Sequence, residues 1–464
     1  MIQQTQTKQF PRGWKGVKLS EVLDYEQPTE YIVHSEILEE ETPVPVLTAN
    51  KGFIKGYTKE LEGICKDLPV IIFDDFTTDL KFVNFPFKVK SSAMKILKLK
   101  DKWALLKYIF YQMQTIHLRA TTHKRYYLSE YQNLEFLFPI DLNKKISLEK
   151  QELIVQAIET QFTRLDAAVK SLEAVRKKLE VYRKAVLNTA FNGKMTEKWR
   201  KEQTSLDSIN LKEIQTIRMN RFLLSNSKRG KRKDLSFEEW NKKYIVPIKG
   251  NNSKLEELPQ KWLWVNLGEV FDTYVGATPS RSKNNFWGGN IPWVSSGEVN
   301  FCTIFDTKEK ISTEGLNNSS TSLHPIGTVL LGMIGEGKTR GQPAILGIES
   351  CNNQNSAAIR VSESKCSAKY IYYYLYFVYE KNRKLSSGNN QPALNKKRVQ
   401  MIPLPIAPEK EQEIIANEID SKFSVIDKIE QVVEQSLTKA EKLRKSILKS
   451  AFEGKLVKME GGRK

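Results

Sequence analysis

The sequence predicts an α/β (α+β) protein built as a pseudo-two-fold tandem repeat: two globular domains separated by two long helices that pair as a coiled coil. Three observations carry this. A long stretch, Ser147 to Met195, recurs as Pro408 to Leu456 at a constant offset of 261 residues without a gap. A short opening also recurs, FPRGWKGVKLSEV from Phe10 and LPQKWLWVNLGEV from Leu258. Between opening and long stretch the two halves differ, yet both run from short alternating segments to a late helical one.

The repeated stretches read as helices. Ile158, Leu165, Leu172, Leu179 and Val186 recur every seven residues in the first, with Phe162, Val169 and Val175 near the intermediate positions. Ile419, Ile426, Val433, Ala440 and Ile447 do the same in the second. Apolar heptads with charged flanks predict a coiled-coil seam. No Pro or Gly interrupts either stretch between its first turn and its terminal Gly193 or Gly454. Pro408 suits the first helical position, and Glu409 and Glu411 suit the positive end of the dipole. Gly193 and Gly454 are placed to end the helices, with basic residues in the last turns. At 1.5 Å per residue each helix spans roughly 65 Å, longer than one domain needs. Identities such as Gln151/Gln412, Phe162/Phe423, Asp166/Asp427, Arg183/Arg444 and Gly193/Gly454 favour a pair formed by equivalent segments, antiparallel or parallel.

In the openings, Pro11/Pro259, Trp14/Trp262, Val17/Val265, Leu19/Leu267, Glu21/Glu269 and Val22/Val270 are identical. The first domain continues with predicted strands in TPVPVLTANKGFIKGYT, LPVIIFDDF and LKFVNFPFKV, then a helix in DKWALLKYIFYQMQTIHL and the polar loop RATTHKRYYLSEYQN. The second is richer in turns, with a helix in SAKYIYYYLYFVYEKNRK followed by the loop LSSGNNQPALNKKRV. The intervening material reads as dissimilar between the halves. The expected boundaries are a first domain at 1–142, a long helix at 143–200, a linker at 201–257, a second domain at 258–405 and a long helix at 406–464. Within the linker, SINLKEIQTIRMNRFLL reads as one more helix and SNSKRGKRKDL as a charged loop.

The formal net charge is +19, which points to a polyanionic partner, most often nucleic acid. The cysteines Cys65, Cys302, Cys351 and Cys366 form no C-x-x-C pair, which argues against zinc and a disulfide scaffold and fits a reducing cytoplasm. MIQQTQTKQF lacks the apolar core of a secretory leader, and no apolar run reaches the length of a membrane span.

Catalytic patterns fail one by one. Gly332 to Thr339 fits the P-loop pattern, but Gly341 and Pro343 follow where a helix must begin. The segment is expected to be a basic β-hairpin loop. Asp74-Asp75 is expected to be a solvated strand end rather than a metal site. There is no HExxH, GxSxG or Cys/His ligand array, and no catalytic residue or metal ligand is expected. A shared frame with differing contents suggests two reading heads on one scaffold.

The runs KQELIVQAIETQF and KEQEIIANEIDSKF, the endings YRKAVLNTAFNGKMTEKWR and LRKSILKSAFEGKLV, the run IPLPIAPEKEQ and the two openings together resemble the specificity subunits of type I restriction-modification systems. VIIFDDFTTDLKFVNFPF with THKRYYLSEYQN, and NIPWVSSGEV with GNNQPALNKKRVQMIPLPIAP, are similar to two types of target-recognition domain. FPIDLNKKISLEKQ departs from the family, lacking the usual Pro-rich approach to the helix. The resemblance implies two target-recognition domains, antiparallel long helices and no active site. It implies that each domain reads half of a split double-stranded DNA target. The helices would set the unread spacer and receive two modification subunits, which methylate adenine with S-adenosylmethionine. Restriction subunits would add translocation and cleavage that depend on ATP and Mg. A coiled-coil adaptor with two protein-binding heads is the alternative; it explains the helices but not the charge.

Base reading needs Arg or Lys for guanine and Asn or Gln for adenine. In the first domain the candidates are His123, Lys124, Arg125 and Tyr126, with Thr77, Thr78 and Lys81. In the second they are Arg281, Lys283 and Asn284, then Lys338 and Arg340, then Asn389, Asn390, Gln391 and Lys396.

Overall fold

A computed structural model describes residues 12–35, 38, 43–48, 52–116, 125–228, 235–245, 247, 255–335, 338–384 and 394–457. The chain divides into two compact units. One comprises Met1–Val175 and Val432–Lys464, the other Arg176–Gln431. Both divisions fall inside long helices, Leu148–Phe191 and Glu409–Phe452. Each unit therefore holds one opening, the start of one long helix and the end of the other.

In the first unit, β1 (Trp14–Lys18) pairs antiparallel with β9 (Glu135–Pro139), Trp14 opposite Pro139 and Lys18 opposite Glu135. Between them lie β2 (Leu23–Glu26), β3 (Val44–Leu47), β4 (Ile54–Thr58), β5 (Val70–Asp74), β6 (Leu80–Val83), β7 (Lys88–Val89), β8 (Met94–Leu99) and α1 (Leu106–Met113). The main sheet has the order β2-β8-β5-β6, and a smaller one β4-β3-β7. Strand β5 reads VIIF without alternation because both faces of the main sheet are covered. Ile71 and Phe73 face α1, β9 and the long helices, where Ile158, Phe162, Ile447 and Phe452 are buried. Val70 and Ile72 face Leu47, Phe87 and Val89. Strands β2 and β8 go unmarked by sequence pattern: LDYE is largely polar, and MKILKL interrupts its apolar face with lysines. One of these, Lys95, is buried and reaches Asp75 at 3.9 Å. The helix expected from DKWALLKYIFYQMQTIHL is confined to Leu106–Met113, because Leu105 is still extended.

In the second unit, α2 (Leu211–Lys228) and α3 (Phe237–Tyr244) fold part of the expected linker. Arg218 of α2 is 4% exposed; it donates to Asp272 at 2.9 Å and to the carbonyls of Gly268 and Glu269. The opening strand β10 (Leu263–Asn266) is followed by β11 (Thr273–Val275), β12 (Trp287–Val294), β13 (Cys302–Ile304), β14 (Glu309–Ile311), β15 (Val329–Gly332), β16 (Pro343–Leu346), β17 (Cys351–Asn352) and β18 (Ser356–Ile359). Then come α4 (Ala368–Phe377), α5 (Lys396–Gln400) and β19 (Pro403–Ile406), which pairs antiparallel with β10. The sheets have the orders β11-β18-β15-β16-β13 and β14-β12-β17. Along β15, Val329 and Leu331 face α4 and the long helices, whereas Leu330 faces Val294 and Ile304.

The long helices meet through equivalent contacts in both units. In the first, Arg444 pairs with Asp166 and lies 4.0 Å over the Phe162 ring. In the second, Arg183 pairs with Asp427 at 2.6 Å and lies 4.5 Å over Phe423. The offset of 261 maps one set onto the other. From Asp166 to Arg183 the partner number falls from Arg444 to Asp427, so the helices run antiparallel. Of the heptad residues, Ile158, Leu179, Val186, Ile419, Ile426, Val433 and Ile447 are buried. Val175 is 38% exposed and lies off the seam.

Each long helix ends on the other half's opening. Gly193 has φ +75°, and a side chain there would run into the ring of Pro259. Gly454 has φ +72°, and a Cβ would lie 3.1 Å from Trp14 Nε1. Left-handed φ and lack of room both demand glycine. Gly454→Ala should destabilise the first unit by at least about 1 kcal/mol, seen as a lower midpoint in denaturant unfolding.

His324 is fully buried and neutral: its Nε2 meets Asn352 Oδ1 at 3.0 Å, and its Nδ1 accepts from Arg360 Nε at 3.3 Å. Burial, then the Arg360 charge, lowers its pKa from 6.5 to about 4. The unfolded chain therefore binds the proton first. The stability is complete above pH 6.5 and lost as pH falls towards 4, by up to about 3 kcal/mol. His324→Gln should flatten that part of the stability–pH curve.

Candidate nucleic-acid interface

In the first unit the site is built on the end of β5. Asp74 Oδ1 accepts from the amides of Phe76 and Thr77 at 2.9 Å, and Thr78 N donates to Asp74 O. This closes a turn in which Thr78 takes φ +63°. Asp75 is 3% exposed and ties this turn to the segment after residue 124: its carbonyl accepts from Tyr126 N at 3.0 Å, and its Oδ1 from Tyr127 N at 2.8 Å. Asp75 is thus a buried organiser, not the solvated strand end expected. The exposed Thr77 and the exposed Arg125 are thereby brought together, with Thr78 and Lys81 partly buried nearby in sequence. Tyr126 is a correction: at 3% exposure it packs in the core and presents no side chain to a ligand. His123 and Lys124 lie outside the described residues.

Sequence reasoning missed two apolar members of this surface, Phe76 at 43% exposure and Leu128 at 40%. Apolar side chains read the thymine methyl group. The signal available was an aromatic residue inside the polar run DDFTTD.

In the second unit, β15 and β16 form the expected antiparallel hairpin, with Leu331 opposite Pro343 and Gly341 N bonded to Gly332 O. No helix starts at Lys338-Thr339, so the segment is not a phosphate-binding P-loop. Lys338 is exposed and Arg340 partly buried. Tyr379 holds the loop by donating to Lys338 O at 2.6 Å, while its ring lies against Gly341, whose φ is +85°. Leu394 N bonds to Met333 O, which brings Lys396, at the start of α5, near the same hairpin. Met333 N bonds to Asn355 O, and Thr278 donates to Gln354 Oε1 at 2.6 Å. The turn at 353–355 therefore joins the loops at Thr278 and Met333, and through Met333 the segment at Leu394. Exposed Gln354, an adenine-reading type of side chain, went unnoticed because nothing in QPAILGIESCNNQNS marks the turn as central.

Arg281 stacks 3.8 Å over Trp287, and both terminal nitrogens bond to Glu309, the Nη2 bond measuring 2.9 Å. The Arg281 bond holds the Glu309 carboxyl below its ordinary range. The end-on fork of Arg281 is thus occupied. Lys283, 5.0 Å over Phe286, and Asn284 are exposed beside it. Asn389, Asn390 and Gln391 lie outside the described residues.

Burial pushes the thiols of Cys65, Cys351 and Cys366 up to about 11, too high for a nucleophile at neutral pH. Among the described residues no group of three or more His, Cys, Asp or Glu is placed to hold a metal, and no helix is long and apolar enough to cross a membrane.

Residues 259–439 match the family described as "Type I restriction modification DNA specificity domain". The chain is 30% identical to the EcoR124I/EcoR124II specificity subunit of Escherichia coli, over 76% of this chain and 72% of that protein. It is 24% identical to a putative MjaX specificity subunit of Methanocaldococcus jannaschii, over 52% and 54% of the two chains. Its fold resembles a chain from a solved type I R-M system, with a TM-score of 0.64 at 18% identity, covering 96% and 99% of the two chains. The duplicated frame, the paired loop clusters and these likenesses agree: the chain belongs to the specificity subunits of type I restriction-modification systems, the non-catalytic subunits that recognise the DNA target.

Proposed function

We propose that the chain reads a bipartite double-stranded DNA target, one half-site per recognition domain, taking residues 1–142 and 258–405 as those domains. The observation that carries this is the pair of loop clusters, Thr77 with Arg125 in one unit and the loops of Arg281, Lys338 and Lys396 in the other, each built on the same frame. Arg125, Lys338 and Lys396 supply phosphate contacts or guanine reading. Thr77, Thr78, Lys81, Lys283, Asn284 and Arg340 join them, and His123, Lys124, Asn389, Asn390 and Gln391 are further candidates by residue type. The long helices set the unread spacer and receive two modification subunits. S-adenosylmethionine serves those subunits, and ATP with Mg serves the restriction subunits.

Long-read mapping of methyladenine in the host, with and without the gene, tests this directly. A split motif that vanishes with the gene is expected; its persistence sinks the reading. In purified complex, Arg125→Ala and Lys338→Ala should each lower the slope of log K against log salt by about 1 if the side chain contacts phosphate. An unchanged slope with relaxed preference at one base pair assigns that side chain to base reading.

A further inference from the structure

The shared frame reaches further into the domains than the sequence repeat discloses. Leu105 caps α1 and Ser367 caps α4. Counted from these caps, the two helices carry KYIFY and KYIYY: Lys107/Lys369, Tyr108/Tyr370, Ile109/Ile371 and Tyr111/Tyr373 are identical, at an offset of 262. The expectation that the domain contents are dissimilar is therefore wrong here. The match is too short to stand out until the caps align it.

The identical polar residues make the same contacts, except for the glutamine side-chain N–H groups, which donate to carbonyls at non-equivalent positions. Gln151 Oε1 accepts from Leu105 N at 2.9 Å, and Gln412 Oε1 accepts from Ser367 N at 3.0 Å. The Gln151 amide donates to Trp103 O, the Gln412 amide to Ala407 O. Both glutamines are fully buried. Two turns along each long helix, Glu159 accepts from Lys107 at 2.7 Å and Tyr111 at 3.3 Å. Asp420, its equivalent, accepts from Lys369 and Tyr373. The rings of Tyr111 and Tyr373 stand edge-on to Phe162 and Phe423 at 5.7 and 5.5 Å. Tyr108 donates to Leu137 O and Tyr370 to Pro405 O, each at 2.6 Å. Those carbonyls belong to residues opposite Gly16 and Trp264, equivalent positions of the two openings.

We propose that Gln151 with Glu159, and Gln412 with Asp420, are positioning residues forming one latch, used twice, that sets the angle of each recognition domain on its long helix. The glutamine grips the start of the domain helix through a backbone N–H, so it fixes that helix without constraining its side chains. The carboxylate grips Lys and Tyr about two turns further on. Two grips about 12 Å apart along the long helix fix both distance and angle, where one grip leaves rotation free. The glutamines, buried and fully partnered, specify one arrangement where apolar packing alone does not, and the half-exposed carboxylate grips add direction to it.

The latch rests on the DNA-reading function for its purpose but not for its test. Nitroxide labels at Lys308→Cys and Asn417→Cys, in a Cys302→Ala background, report the domain-to-helix distance within the second unit of the full chain. Gln412→Leu and Asp420→Ala should at least double the width of the distance distribution. Asp420→Glu, which installs the residue of the other unit, should keep the native width. In complex with modification subunits, Gln412→Leu should raise methylation of targets with a spacer altered by one base pair at least tenfold relative to the native target, with half-site bases unchanged. A native width in Gln412→Leu overturns the latch. If Gln412→Leu does not fold, Tyr373→Phe, which removes one hydroxyl, decides: a broadened distribution supports the latch and a native one overturns it. Failure to find any split target while the widths change as expected would remove the DNA-reading proposal and leave the latch standing.

Discussion

The antiparallel pairing of the two long helices is the constraint on which everything else depends. Each helix carries an acid early, Asp166 or Asp427, and an arginine late, Arg183 or Arg444. Two equivalent segments can satisfy both charges only by running in opposite directions, so that each acid meets the other helix's arginine. The arginines also stack on Phe162 and Phe423, which makes the contact apolar as well as ionic. Exposed ion pairs contribute little to stability. Their weight here lies in direction and register, while the buried Ile158, Ile447, Ile419 and Ile426 supply the hydrophobic driving force.

From that pairing follows the composition of the units. A helix that starts beside its own domain must end beside the other half's opening. The two terminal glycines meet Pro259 and Trp14 for this reason. Neither half of the sequence is complete alone: the first unit needs Phe452 to cover Tyr108 at 5.2 Å, and the second needs Phe191 to pack on Tyr370 at 5.3 Å. The frame tolerates different contents because it holds them by backbone groups and a few repeated side chains. The exposed turns at Thr77, Lys338 and Gln354 are left free of the frame.

The repeat, the helical period and the resemblance of the openings were legible because they are local or recur at fixed offsets. Period-seven apolar residues predict a seam wherever they occur, and most of those named are buried. The β15–β16 hairpin was legible from Gly341 and Pro343, which forbid the helix a P-loop needs. Strands β2 and β8 were not legible, since polar and lysine residues break their pattern and Lys95 is accommodated by Asp75 and the Tyr25 ring, both distant in sequence. Tyr126 looked like a reading residue because it adjoins Arg125. Its burial goes with two hydrogen bonds, from Tyr126 N and Tyr127 N to Asp75 some fifty positions upstream.

The sequence by itself determined the duplicated frame, the long helices, their ends, the family and the absence of a catalytic motif, because each rests on local spacing, composition or self-comparison. Only the tertiary structure decided which segments share a unit, which loops converge and which side chains are already engaged. Arg281 is committed to Glu309, Asp75 joins two turns, and KYIFY and KYIYY dock in the same way. These are contacts between residues far apart in the chain, chosen by packing among many that composition allows, and no local pattern encodes them.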